Sequence, residues 1–142
     1  MVPMALWKSL GAMLLVLSLL LGACGDDDDP SPADAQASLC DDLDTLEGEM
    51  TTLTGMSAES SIEDLKDQRD QVNDAFDAVV DSAGDVDDAE TDSLKNAVDD
   101  LDDAIDEVGD DMPIADAQAS IQNEAAAVQA AWTELRTATQ CP

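Results

Sequence analysis

Of the side chains that carry acid–base and nucleophilic chemistry, the 142-residue chain has no histidine and no tyrosine, 34 aspartates and glutamates, and three cysteines, at 24, 40 and 141. Without histidine the usual neutral-pH base and transition-metal ligand is missing. Carboxylate pairs are everywhere, but catalysis by two carboxylates needs a cleft that drives their pKa values apart. Acids spread over solvated faces do not make one, so no catalytic residue, no cofactor and no enzymatic role is expected. Calcium is the remaining chemistry for such side chains; an EF-hand-like loop wants alternating acids, a central glycine and a closing glutamate. The segment GDVDDAETD at 84–92 offers Asp85, Asp87 and Asp88 without that glycine or that glutamate. Asp110–Asp111 and the run Asp26–Asp29 lack a closing framework. Weak, diffuse association of divalent cations with the whole surface is expected, and no dedicated metal site.

The net charge of −29 repels nucleic acid and anionic lipid headgroups, so no nucleic-acid partner is expected. High charge with few aromatics also characterises disordered chains, and the apolar pattern has to decide whether a core exists. Leu39, Leu43, Leu46, Met50 and Leu53 alternate in steps of four and three. Ile62, Leu65, Val72, Phe76 and Val79 form a second series, Leu94, Val98, Leu101, Ile105 and Val108 a third. The fourth runs Ile114, Ala117, Ile121, Ala125, Val128, Trp132, Leu135. Each series puts one apolar stripe on a helix with aspartates on the other faces, and no segment alternates with the period of a strand.

Gly55, Gly84 and Gly109 follow three of the series, where a helix can end on a left-handed residue. Ser60 with Glu63 suits a capping box, and Asp111 with Pro113 the first turn of a helix. Helices are therefore expected near 34–54, 60–82, 88–108 and 112–140. Their short connections make neighbours antiparallel. The fold class is all-α, an up-down-up-down four-helix bundle, with a three-helix bundle or an elongated coiled coil as alternatives. Residues 65–81 align without gaps on 94–110, which leaves open a duplication of one helical unit. Arg69 interrupts the second stripe. Either it pairs with an inward aspartate and fixes register, or its stem lies on the stripe while the guanidinium reaches Asp70 or Asp74; the second is favoured. Arg136 suits the C-terminal end of the last helix dipole.

The N-terminus has one cation, Lys8, an apolar run from Leu10 to Leu21 and a small-residue exit, the layout of a secretory signal. The run is too short for a membrane span, which takes about 20 residues. Leu21-Gly22-Ala23-Cys24 resembles the lipobox of bacterial lipoproteins. The resemblance implies that residues 1–23 are a signal peptide cut before Cys24, and that a diacylglycerol on the Cys24 thiol holds the chain to the membrane. The Asp/Ala-rich helical body is similar to small lipoproteins of high-GC Gram-positive bacteria. An excess of Asp over Glu, 26 to 8, leaves a salt-adapted source open as well.

Exported chains fold in an oxidising setting, so Cys40 and Cys141 are candidates for a disulfide. Four antiparallel helices bring the start of the first and the end of the last to one pole, whereas three would set them at opposite ends. Residues 24–33 read as an acidic tether, stiffened by Pro30 and Pro32, and 34–142 as the helical domain. The disulfide pole then faces the membrane, and the turns with Met56 and Met112 face outward. Those turns are the first place to look for a partner, although methionines that merely fill gaps explain them more simply. The expected function is a non-catalytic, lipid-anchored protein of the cell envelope, on the outer face of the cytoplasmic membrane, acting as an interaction, spacer or scaffold module, with an envelope protein as its possible partner. The alternative is a binding protein for divalent cations or for a small apolar ligand between the helices.

Overall fold

The computed structural model describes residues 31–84 and 88–142. The segments read above as a signal peptide and lipobox with Cys24, most of the segment read as a tether, and Asp85 and Asp87 lie outside the described residues. The described chain forms four helices, α1 (Pro32–Thr54), α2 (Ile62–Ala83), α3 (Asp88–Asp106) and α4 (Ile114–Ala138), and contains no strand.

The apolar series account for the helices and for their packing. All five residues of the first series are buried, as are those of the second and third. In the fourth only Trp132 is half-buried. Each fully buried Leu or Ile removes enough apolar surface from water to contribute about 1.5–3 kcal/mol. The stripes of the four helices meet in one continuous core. α1 packs most closely on α2 and α3 on α4. The α2/α3 and α1/α4 contacts are sparser, and α1 and α3 do not touch. This is the square of an antiparallel four-helix bundle built from two helical hairpins. α2 and the chain from α3 to just beyond it bury matching positions at the offset of 29: Leu65 and Leu94, Val72 and Leu101, Phe76 and Ile105, Val79 and Val108.

The helix ends differ from expectation in several places, each for a local reason. α1 starts at Pro32, two residues early, because Ser31 caps it by accepting from the Asp34 amide at 3.2 Å and Pro32 occupies the first turn. Pro32 is thus helical and does not stiffen a tether. The capping box is made one residue later than Ser60 and Glu63: the Ser61 hydroxyl accepts from the Asp64 amide, and the Ser61 amide donates to the Asp64 carboxylate at 2.8 Å. Moving the cap by one lets Ile62 turn inward as the first core residue. α4 begins after Pro113 with no side-chain cap, so Asp111 does not fill that role. Of the three glycines only Gly84 has a positive φ, 52°. Gly55 ends α1 at φ −96°, α3 stops before Gly109, and the left-handed residue after α4 is Gln140, φ 57°.

Cys40 and Cys141 are joined, with Cα atoms 5.5 Å apart and positions 101 apart in sequence. The link bridges α1 to the chain just beyond α4 at one pole. In the chain-entropy account, closing a loop of about 100 residues is worth up to ~4.7 kcal/mol. Replacing both cysteines by serine is expected to leave the helical circular dichroism signal in place and to lower the unfolding midpoint by roughly 10 °C or more, the equivalent of about 2–4 kcal/mol; an unchanged midpoint in a thermal melt would refute this. The Asp64 cap yields a pH prediction. Its backbone and side-chain hydrogen bonds from Ser61 hold the Asp64 carboxyl below its ordinary pKa. A carboxylate lowered in the fold stabilises above its unfolded pKa, and the contribution fades as pH falls through the folded value. The wild type should therefore melt above Asp64→Ala at neutral pH, and the gap should narrow in acid.

Candidate functional site

The pole that holds the disulfide also holds the seam with no connecting loop, between α1 and α4. Gln36 Nε2 donates to the Thr139 carbonyl at 2.8 Å, and the Thr139 hydroxyl, buried, donates back into α4 at the Leu135 carbonyl. Two helical turns from the Gln36–Thr139 bond, the Trp132 indole N–H donates to the Leu43 carbonyl of α1 at 2.8 Å. Arg136 stacks over the Trp132 ring at 5.1 Å, pairs with Asp44 of α1 and donates to the Pro142 carbonyl. Arg136 therefore ties α4 to α1 and to the chain terminus, a larger part than the dipole role read from its position. At the opposite pole the Gln118 amide spans to the Thr54 and Met56 carbonyls, 3.2 Å each.

Between these two ends α1 and α4 separate enough to leave surface clefts. One, of about 440 Å³, lies against Thr54, Gln118, Ile121 and Gln129. A second, of about 240 Å³, lies against Leu46, Met50, Val128 and Trp132. At the distal pole Met56 packs on the core, so it fills a gap as the simpler reading of these methionines held. Met112 is exposed.

The α2/α3 seam is electrostatic. Arg69 donates through Nε and Nη2 to Asp70 at 3.0 and 2.9 Å, lies 3.2 Å from Asp102 and pairs with Asp106. Burial works against its charge, yet these carboxylates raise its pKa above the ordinary arginine value. Neither earlier reading of Arg69 is complete: it reaches Asp70, as expected, and it also bridges to α3, which was not. The core position at that turn belongs to Gln68. It is buried and donates to the Glu49 carboxylate of α1 at 2.6 Å. Leu65 and Val72 flank it at the required steps of three and four, which is the signal that could have found it. Arg69 stands four residues after Leu65 and three before Val72, a spacing that suits a core position equally well. Lys66 adds a 2.7 Å pair to Asp110 and lowers the pKa of that carboxyl.

Every basic side chain among the described residues is paired with a carboxylate. Acids meanwhile crowd the α3/α4 seam, where Asp100, Asp103, Glu107 and Glu124 share a surface depression and one Glu124 oxygen is buried without a hydrogen-bond partner. No group of three or more metal-ligating side chains with the geometry to hold an ion occurs among the described residues. No described helix is long and apolar enough to cross a membrane. Arg69→Met keeps the packed stem and removes the charge, leaving Asp70, Asp102 and Asp106 to repel one another. It should lower stability by about 1–2 kcal/mol in urea unfolding, and added salt should recover part of the loss by screening those carboxylates. A loss independent of salt would show that Arg69 acts by packing alone.

A scan against protein-family models and searches of curated proteins and of solved structures found no match to this chain.

Proposed function

We propose that the chain is a non-catalytic protein of the cell envelope, anchored on the outer face of the cytoplasmic membrane by a diacylglycerol on Cys24, and that its bundle serves as an interaction, spacer or scaffold module. The observation that carries the proposal is the sharing of one pole by both ends of the folded body. α1 starts at Pro32, eight residues after Cys24, and the Cys40–Cys141 link ties the far end of the chain to the same pole. A lipid at Cys24 would thus hold that pole toward the bilayer and the Met112 turn away from it. The four aspartates at 26–29 lie between lipid and bundle, where anionic headgroups repel them within a Debye length of about 8–10 Å. They act as a standoff. The lack of histidine and the pairing of every described cation support a role without catalysis or anion binding.

Metabolic labelling with a fatty acid tests the anchor. The wild-type chain should take up label and Cys24→Ala should not, and the labelled product should have the mass of a chain beginning at Cys24. Equal labelling of both chains, or a wild-type product that keeps residues 1–23, would contradict it.

A further inference from the structure

The two helical hairpins are joined covalently at one pole. α2 ends and α3 begins there, where the Ser82 hydroxyl donates to Asp42 of α1, and the Cys40–Cys141 bond ties α1 to the chain beyond α4. The turns at the distal pole only connect helices within a hairpin. Away from the disulfide the two seams between hairpins are held unequally. The α2/α3 seam is bridged by Asn73, whose amide donates to Asp102 at 3.0 Å, by Arg69 to Asp102 and Asp106, and by Lys66 to Asp110. On the α1/α4 seam, among the described residues, no hydrogen bond or ion pair crosses between Asp44 and Thr54, about 15 Å of helix. Both clefts lie along that stretch. At its far end the Gln118 amide alone bonds α4 to α1 and the turn after it, and α4 starts there without a side-chain cap.

We propose that the bundle opens along the α1/α4 seam at the distal pole, the two hairpins turning about the disulfide pole and the bridged α2/α3 seam. Charge supplies the separating force. Residues 32–83 carry fourteen acidic side chains against two basic ones, and residues 88–138 the same. Two bodies of like charge repel over a Debye length, and exposed ion pairs between them offset little of it. Each hairpin stays intact, because α1 packs most closely on α2 and α3 on α4. Opening of this kind is sub-global: it breaks the thinnest contacts first and leaves the helices folded. It bares Leu46, Met50 and Leu53 of α1 and Ile121, Ala125 and Val128 of α4, all buried in the closed bundle. An apolar surface is thus held closed at the distal pole and released as the hairpins part. The Cys40–Cys141 bond confines the motion to that end, and low ionic strength favours it. The inference stands on the folded body alone, whatever Cys24 carries.

Thiol labelling of the full, unreduced chain with N-ethylmaleimide, an uncharged reagent, tests it, with each labelled site assigned by peptide mass. Ala125→Cys puts a small apolar thiol on the α1 side of α4, where the native residue is 4 % exposed. Ala75→Cys is the control. Ala75 is 7 % exposed and lies seven residues from Gln68, on the α2 face turned to α1 inside the first hairpin. Lowering salt from about 1 M to about 0.01 M lengthens the Debye length from ~3 to ~30 Å. It should speed labelling at position 125 relative to position 75. Adding Gln118→Ala, which removes the distal amide bonds, should speed labelling at 125 about fivefold and leave 75 unchanged. Val128→Cys, bordering the second cleft, should respond as Ala125→Cys does and gives a second reading if one variant folds poorly. An unchanged circular dichroism signal and an intact Cys40–Cys141 link mark a variant as folded. Equal responses at the two faces, or labelling on the α4 face that ignores either salt or Gln118→Ala, would overturn the proposal.

Discussion

The seam between α1 and α4 is the constraint on which the rest of the bundle depends. Each of the other three sides of the square is closed at one end by a turn of the chain, but the first and last helices have no such connection. The Cys40–Cys141 bond supplies it, with the Trp132 and Gln36 hydrogen bonds and the Arg136–Asp44 pair alongside. Because the chain has so few aromatic residues to deepen its core, covalent closure over a long loop carries weight that packing would otherwise have to supply.

Charge is the opposing constraint. Acidic faces crowd around a slim core, and three of the described cations reach between elements: Arg69 from α2 to α3, Lys66 from α2 to Asp110 in the α3–α4 connection, and Arg136 from α4 to α1. Among the described cations only Lys95 has no carboxylate partner beyond its own helix. The helices pack most closely within each hairpin; Arg69, Arg136, Gln36 and Gln118 reach between hairpins, while Gln68 bonds within the first. That arrangement puts most of the little positive charge available on the two seams between hairpins.

Much of this was legible in the sequence because burial and helical period are tightly coupled. Leu39 through Leu53 alternate so strictly that only one face can be the core. The Cys pair was legible from topology, since an even number of antiparallel helices returns the chain to its starting pole. Single-residue decisions were not. Ser60 and Ser61 are both good caps, and only the need to turn Ile62 inward selects the second. Arg69 and Gln68 sit on either side of one expected core position, and a period of 3.6 cannot choose between neighbours without the partner helix. The low charge of α4 is hidden for another reason: composition averages over the chain, and the −29 total does not show that α4 carries three acids where α3 carries eight.

The proposed orientation at a membrane and the proposed standoff both rest on closure of the bundle at one end. The direct measurement is the state of the thiols in protein recovered from cells without reduction, alkylated and mapped by peptide mass. A single cross-linked pair containing Cys40 and Cys141, with neither alkylated, is the predicted result. Alkylation of both, or either one bonded to a different thiol, would contradict the closure on which the architecture rests.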